Sequence, residues 1–133
     1  MKRFIASEMW DKKWFRKLPP KLKVLWIYLF TKCDMAGVWE ADYEAASFFI
    51  GESVCEGDLA EFNSNVEILD SHKVFIPDFV RFQYGEYSEA SRVHQAVIKA
   101  ATLNHVSDRL WIGYVKPMDR LMDKDKDKDK DKK

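Results

Sequence analysis

The segment 20–33 constrains the fold of this 133-residue chain more than any other part of the sequence. Pro19 and Pro20 end the preceding segment and suit the first turn of a helix. The apolar residues that follow are spaced three and four positions apart, so they share one wide face of that helix: Leu22, Leu25, Trp26, Leu29, Phe30 and Cys33. A stripe of this width must be covered by other elements, and it predicts a core helix.

A shorter amphipathic helix is predicted before it, over residues 7–18. Trp10, Trp14 and Leu18 recur every fourth residue and therefore share one face of such a helix. Lysine and arginine side chains occupy much of the remaining surface.

Weaker signals for strands and helices follow the core helix. Residues 38–39 predict a very short strand, and Asp42 is suited to cap a helix over 43–50 that Gly51 ends. A third helical piece is expected over 57–62.

A β-hairpin is predicted next. Two alternating runs rich in β-branched residues, 66–69 and 74–76, flank a four-residue polar turn. Residues 78–84 fit a helical turn or a strand. A long helix is then expected over about 89–105, capped by Ser88, with these residues on its inner face: Val93, Val97, Ile98 and Ala101.

Helix, strand, helix, short helix and hairpin over about 20–77 follow one another in the order of a winged helix. The predicted fold class is therefore α+β and mostly helical, with a winged helix-turn-helix core, an extra N-terminal helix and a long C-terminal helix. We expect one domain over residues 1–122. Residues 123–133 contain five Asp-Lys dipeptides, and this low complexity predicts a disordered tail.

The net charge of zero conceals a strong asymmetry along the chain. Residues 1–32 carry a net charge of +7, residues 33–91 carry −11 and residues 92–122 carry +3. Such polarity suits an anionic partner such as nucleic acid, or head-to-tail self-association. The alternative is that these are solvated faces whose charges merely balance.

The sequence does not favour an enzyme or a metal protein. The five glycines never cluster into a phosphate-binding loop, and Cys-x-x-Cys and His-Glu-x-x-His motifs are absent. His94 and His105 would lie about 16 Å apart along one helix, too far to share a metal. We expect both histidines at the surface or at a helix cap, and we expect no cofactor.

The expected location is the cytoplasm. The two cysteines, Cys33 and Cys55, are too few for a secreted disulfide framework and are predicted to be buried free thiols. The basic N-terminus lacks the apolar stretch of a signal peptide. The longest apolar run, 24–30, is far shorter than the roughly 20 residues of a spanning helix, so we expect no membrane association.

An ordered series of segments covers about residues 10–105 of the chain. The segments are WFRKL (14–18), KVLWIYL (23–29), CDMAGVWE (33–40), ASFFIG (46–51) and FIPDFVRFQYG (75–85), followed by a helix with His94, Val97, Ile98 and Lys99. This series resembles the N-terminal domain of phage and prophage replication-initiation proteins, also called replisome organisers, which are related in kind to bacterial DnaD-type primosome proteins.

The resemblance implies a winged-helix fold, binding of origin DNA as duplex or single strand, and self-association. It also implies recruitment of helicase-loading proteins by a C-terminal part. The sequence ends just after the charged repeat, so we expect that part to be missing here.

Phosphate contacts, not base readout, are the expected mode of DNA binding. In a standard winged helix the third helix enters the major groove. Here that segment carries Glu56, Asp58 and Glu61 and no cation, which opposes docking on phosphates. The predicted contacts lie at the front of the chain, on the hairpin and on the long helix: Lys12, Lys13, Arg16, Lys17, Lys21, Lys23, Lys73, Arg92 and Lys99.

Other uses of these residues remain open. Each lysine is alternatively a solvated surface residue. Trp10, Trp14 and Trp39 either stack on bases of single strands or pack in the core. The whole domain is alternatively a protein–protein interaction module of a replication complex, or a transcriptional regulator, although the acidic third segment counts against the latter.

Overall fold

The computed structural model describes residues 2–70, 72–85 and 90–106 of the chain. These residues form an α+β fold that is mostly helical, with one small antiparallel sheet. The helices are α1 (Lys13–Arg16), α2 (Pro20–Lys32), α3 (Tyr43–Ile50), α4 (Phe79–Tyr84) and α5 (Arg92–Leu103), with 3₁₀ helices at Ser7–Asp11 and Glu56–Asn65. The strands are β1 (Val38–Glu40), β2 (Glu67–Asp70) and β3 (Lys73–Phe75). The predicted tail, 123–133, lies outside the described residues.

Helix α2 forms where the apolar stripe predicts it and lies at the centre of the core. Pro20 occupies its first turn, and Leu22, Leu25, Trp26 and Leu29 are buried along one face. Burying each such side chain stabilises the fold by roughly 1.5–3 kcal/mol. The Trp26 ring also contacts the Phe62 ring, at 5.3 Å between centroids. The helix therefore joins the N-terminal segments to the middle of the chain.

The predicted hairpin is confirmed as β2 and β3, and β1 adds to its other side. The strand order is β1-β3-β2, all antiparallel, with Val38 opposite Phe75 and Ile68 opposite Val74. Val74 and Phe75 are buried. The hairpin thus contributes its apolar residues to the same core as α2.

A tight turn after α2 connects three elements through the Asp34 side chain. One carboxylate oxygen of Asp34 accepts the backbone N–H groups of Ala36 and Val38, at 2.9 and 3.0 Å. The other accepts a hydrogen bond from the Asn104 amide at the end of α5. Gly37 has φ +83°, and a Cβ there would lie 2.9 Å from the carbonyl oxygen of Ile76. This turn therefore requires glycine.

The prediction of one amphipathic helix over residues 7–18 is wrong. A 3₁₀ turn ends at Asp11, Lys12 is extended, and α1 is a single turn. The buried residues are Met9, Phe15 and Leu18, whereas the Trp10 side chain is 56% exposed. The break at Lys12 rotates Phe15 into the core, where its ring meets the Trp10 and Trp14 rings edge-on. The four-residue spacing of the tryptophans therefore does not mark the buried face.

The third helical piece exists, but it is a 3₁₀ helix over Glu56–Asn65 and not an α-helix. Leu59 and Phe62 are buried three residues apart, the spacing that brings side chains into line in a 3₁₀ helix. The helix is kinked at Asn63, whose backbone has φ 54° and ψ −135°. At its start, the Asp58 carboxylate accepts the N–H of Cys55 at 2.9 Å.

Residues 78–84 resolve as helix α4, and helix α5 begins later than predicted. The side chain of Ser91 caps α5 by accepting the N–H of His94, while Ser88 lies outside the described residues. The inner face of α5 contains His94, Val97 and Ala101, with Ile98 half-buried. The expected burial of Val93 is wrong, because α5 turns this side chain toward solvent.

Candidate nucleic-acid interface

Four of the predicted phosphate contacts form one exposed stretch, which we call the basic segment (residues 12–17). Its cations, all exposed, are Lys12, Lys13, Arg16 and Lys17. Two apolar side chains hold it to the core: Phe15 within it and Leu18 directly after it are both buried. Nonpolar anchors thus fix the backbone while the charges extend into water.

Trp14 adds a second attachment between the basic segment and the core. Its half-buried ring lies edge-on to the Trp26 ring of α2, at 5.0 Å between centroids. It also contacts the Phe62 ring, at 6.3 Å. Edge-to-face pairs of this kind contribute about 0.5–1.5 kcal/mol each beyond their burial. Trp14 is therefore a packing residue that joins the basic segment to α2 and the acidic side of the fold.

The basic segment faces the 3₁₀ helix Glu56–Asn65, which we call the acidic segment, across a shallow groove. Lys13 and Lys17 line one wall, and Glu61 and Asn63 line the other. The acidic segment carries Glu56, Asp58 and Glu61. An anion bound on the basic segment therefore has the Glu61 carboxylate at one side, which limits the area open to phosphates.

Lys21 is engaged within the protein. Its ammonium donates to the carbonyl of Ser53 at 3.0 Å and lies 3.5 Å from the carboxylate of Asp58. Lys23, in the first turns of α2, is half-buried. The geometry thus favours the basic segment over these two lysines as a place for an anion.

The remaining predicted contacts lie on other elements. Lys73 in β3 stands opposite Glu40 of β1 and Asp70 of β2, so its strand neighbours are acidic. Arg92 and Lys99 are exposed on α5 and seven residues apart, which places them on one side of that helix. Within the part of the chain that the structure describes, no hydrogen bond or ion pair joins these cations to the basic segment.

Arg3, one of the N-terminal cations, has a defined structural role. Its guanidinium donates to the carbonyls of Phe30 and Cys33, at 2.9 and 2.7 Å, and lies 4.9 Å from the centre of the Phe79 ring. It thereby satisfies carbonyls at the C-terminus of α2, where a cation is favourable. Nothing in the local sequence marks this residue, because its partners are about 30 residues away.

The two cysteines have different environments. Cys33 is buried, as predicted, and burial raises the pKa of its thiol to about 12 even though the Arg3 guanidinium opposes this shift. The prediction for Cys55 is wrong, because this residue, the N-cap directly before the acidic segment, is exposed.

The prediction that His94 lies at the surface is also wrong. It is buried, and its Nε2 atom lies 3.1 Å from the carbonyl oxygen of Tyr84. His105, the residue after the α5 C-cap, is exposed and has a left-handed backbone with φ 60°. Among residues 2–70, 72–85 and 90–106, no three histidine, cysteine or carboxylate side chains are grouped to hold a metal ion.

The exposed aromatic side chains differ in part from those that the sequence predicted. Trp39 is buried, with its ring edge-on to the rings of Tyr28 and Tyr43. No sequence pattern indicated the exposure of Phe48 and Phe49 near the end of α3, yet their side chains are 78% and 68% exposed. Both lie in the apolar run that ends α3, and such a run does not reveal which side faces solvent.

The arrangement can bind a polyanion through charge, because it combines exposed cations with a rigid aromatic attachment. No helix in the described ranges has both the length and the apolar character required to cross a membrane. Comparisons of the chain with protein-family models, with curated proteins and with solved structures find no match.

Proposed function

We propose that the chain is a winged-helix DNA-binding module of phage or prophage replication initiation, similar to the N-terminal domain of replisome organisers. The order α2, β1, α3, 3₁₀ helix, β2 and β3 supports this fold assignment. The strand order β1-β3-β2 supports it as well, because β3 of the hairpin also pairs with β1, the strand that follows α2. In this proposal the module acts in the cytoplasm and binds its partner without catalysing a reaction.

The basic segment is the observation that carries the proposal. Lys12, Lys13, Arg16 and Lys17 are four exposed cations within six residues, on a backbone that buried Phe15 holds in place. Cations held in this way neutralise phosphates and release counterions. Arg92 and Lys99 on α5 are further phosphate contacts in this proposal, whereas Lys21, Lys23 and Lys73 are minor ones.

The proposed binding mode does not read base sequence through the third helical element. The acidic segment occupies that position, and a 3₁₀ helix kinked at Asn63 does not offer a continuous recognition surface. Glu56 and Glu61 on it are exposed and repel phosphates. We therefore expect similar affinity for unrelated duplex sequences of equal length.

The test is fluorescence anisotropy with a labelled duplex and a labelled single strand across a salt series. Wild-type binding is expected to weaken steeply with salt. The variant Lys12→Glu/Lys13→Glu/Arg16→Glu removes three phosphate contacts, and each should lower the slope of log K against log salt by roughly 0.9. The control is Lys2→Glu/Lys32→Glu, which reverses two exposed cations outside the basic segment, against three in the variant.

The control separates local contacts from net charge. If both variants lose binding in proportion to their charge change, the basic segment is not a specific interface. If folded wild-type protein binds neither DNA at low salt, the protein-interaction module becomes the better account. That second function is favoured by the exposed Phe48 and Phe49 side chains.

A further inference from the structure

We infer that the groove between the basic segment and the acidic segment binds one unpaired guanine nucleotide, with its phosphate at Lys13 and Lys17 and its base at Glu61. This inference rests on the proposed function for its role in replication. It deepens that function, because it adds a selectivity for one base to phosphate contacts that carry none.

The groove has the size and the polar lining of a small-ligand site. Its volume is about 380 Å³, near the lower end of the roughly 300–1,000 Å³ that is typical of such sites. Most of the side chains that line it are polar or charged, and these are Lys13, Lys17, Glu61 and Asn63. The space therefore suits one polar, charged molecule of nucleotide size.

Oppositely charged side chains line the two walls, yet they do not pair with each other. Within the described ranges, the side chains of Lys13, Lys17 and Glu61 make no ion pair and no hydrogen bond. By contrast, Lys21 at the start of α2 does pair with Asp58 of the same acidic segment, at 3.5 Å. The groove thus keeps two cations and one carboxylate open to a ligand that carries both an anion and N–H donors.

Buried rings fix both walls before any ligand arrives. Phe62, between Glu61 and Asn63 in the sequence, is fully buried, and so is Phe15, between the two lysines. The half-buried Trp14 also lines the groove, and its ring lies 6.3 Å from the Phe62 ring, which joins the walls to each other. A site whose walls are already in place loses less conformational freedom when it binds.

A guanine nucleotide carries the groups that this arrangement requires. Its phosphate is complementary to the two lysines. Among the DNA bases, guanine alone presents two adjacent N–H donors on its Watson–Crick edge, and one carboxylate such as that of Glu61 can accept both. Thymine presents a single N–H between two carbonyl oxygens, which a carboxylate repels. Glu61 therefore selects guanine over thymine.

Asn63 supplies a further contact for the base. Its side-chain amide has no partner in the part of the chain that the structure describes, and it can donate to the guanine O6 oxygen. Its backbone has φ 54° and ψ −135°, a costly conformation for a residue other than glycine. Such strain is concentrated at binding sites, where the surrounding structure maintains it.

Glu61 is expected to act in opposite ways on the two forms of DNA. In a duplex the Watson–Crick edge of guanine is paired with cytosine, so the carboxylate meets only phosphates and repels them. In a single strand that edge is free to turn toward the protein. Removing the charge of Glu61 should therefore raise the affinity for a duplex and lower the preference for guanine. A purely structural role of Glu61 would not produce this pair of changes.

Fluorescence anisotropy of the full chain with short single strands tests the inference. The probes are thymidine strands of about six nucleotides, near the lower end of single-strand site sizes, with or without one central guanine. The wild type is expected to bind the guanine strand about fivefold more tightly, the lower end of what one bidentate base contact contributes. Hypoxanthine in place of guanine removes the N2 amino group and should abolish most of that preference.

Glu61→Gln is the decisive variant, and Glu56→Gln is its matched control. Glu61→Gln should lower the preference for the guanine strand to less than about twofold and should bind a duplex more tightly than the wild type. Glu56 is exposed on the same segment but does not line the groove. Glu56→Gln removes the same charge, so it should strengthen binding to every DNA and retain the preference for guanine.

Three results would overturn the inference. They are equal affinity of the wild type for the two strands, a guanine preference that survives in Glu61→Gln, and a preference that is lost in Glu56→Gln. A wild type that binds a duplex with steep salt dependence but shows no guanine preference would leave the proposed function standing without this inference.

NMR titration with dGMP and with dTMP separates a free nucleotide from a nucleotide within a strand. If dGMP, and not dTMP, shifts the backbone amides of Lys13, Lys17, Glu61 and Asn63, the groove takes the free nucleotide. If only the guanine strand shifts them, the ligand is a nucleotide within a strand. Failure of both to shift these amides would overturn the inference. Shifts with dGMP in a protein that binds no DNA would remove the proposed function and leave the nucleotide site.

Discussion

The basic segment and the acidic segment are built alike and carry opposite charge. Each is short, and neither is a regular multi-turn α-helix. Phe15 and Leu18 anchor the basic segment, and Leu59 and Phe62 anchor the acidic one. The two meet through Trp14 and Phe62, whose ring centroids are 6.3 Å apart.

The two segments differ in charge but not in how they are anchored, so the buried anchors and the surface charge vary independently in this fold. The buried side chains determine where each segment lies, because burial of apolar area is non-directional and large. The exposed side chains contribute little to stability and are free to carry either sign. The polarity of the surface is thus not required for folding.

The largest expected effect comes from removing an anchor. Phe15→Ala and Phe62→Ala each delete a fully buried ring and should lower the free energy of unfolding by about 3–5 kcal/mol. Denaturant unfolding followed by tryptophan fluorescence measures this. Lys13→Glu, in the same segment as Phe15, is the control and should change stability by no more than about 0.5 kcal/mol. A loss for Lys13→Glu as large as that for Phe15→Ala would break the separation of anchor and charge.

The two cysteines offer a second comparison, between a buried thiol, Cys33, and an exposed one, Cys55. Cys33 ends α2, and burial raises the pKa of its thiol to about 12 from an ordinary 9.0. The folded state keeps a proton that the unfolded chain loses near pH 9. The contribution of the protonated Cys33 thiol to the free energy of unfolding is therefore complete below pH 9. It is lost as the pH rises above 9, by up to about 1.4 kcal/mol per pH unit.

Unfolding at pH 8, 9 and 10 should show a smaller decline for Cys33→Ala than for the wild type. Cys55→Ala should follow the wild type, because Cys55 is exposed. A disulfide reagent at pH 8 should modify Cys55 quickly and Cys33 only on unfolding. Equal rates for both thiols would contradict the burial of Cys33.

The kink at Asn63 distinguishes the acidic segment from the basic one. Its φ of 54° with ψ −135° is a conformation that glycine adopts readily and other residues adopt at a cost. Asn63→Gly should raise the free energy of unfolding by about 0.5–1 kcal/mol. Ala60→Gly, at an exposed position before the kink, should lower it by a similar amount. Thermal unfolding of both variants tests whether the two substitutions change the free energy of unfolding in opposite directions.

The smallest expected effect concerns the ion pair that joins α2 to the acidic segment. Lys21 at the start of α2 lies 3.5 Å from Asp58 of the acidic segment, and both side chains are partly exposed. A double-mutant cycle with Lys21→Met and Asp58→Asn should give a coupling of about 0.5 kcal/mol that falls with salt. Asparagine keeps an oxygen that can accept the Cys55 N–H, so the cap is retained. A coupling above about 2 kcal/mol would mean that charge, and not only buried anchors, holds the acidic segment in place.

The sequence predicted those elements whose signal is local. Helix α2 and helix α3 follow from an apolar stripe and from the Asp42 and Gly51 caps, and the structure has both. The hairpin follows from alternation on either side of a polar turn. In α2 the residues that define the element are also residues that it buries, whereas the caps that define α3 are exposed.

The errors arose where a partner distant in the chain decides the conformation. Phe15 is buried because rings elsewhere in the fold receive it, and no periodicity shows this to be preferable to burying Trp10. His94 is buried against a carbonyl of α4. The candidate basic segment was found because charge is visible in the sequence, while the exposure of Phe48 required the tertiary structure.

The pairing of Phe4 with Gln83 has a consequence for how the protein is made. The backbone N–H and carbonyl of Phe4 bond to the two ends of the Gln83 amide, at 2.9 and 2.7 Å, across a separation of 79 residues. During synthesis Phe4 leaves the ribosome long before its partner exists, so these two bonds cannot form until helix α4 has emerged. A nascent chain halted before residue 83 would therefore lack them, and one of the late steps of folding would involve some of the first residues translated.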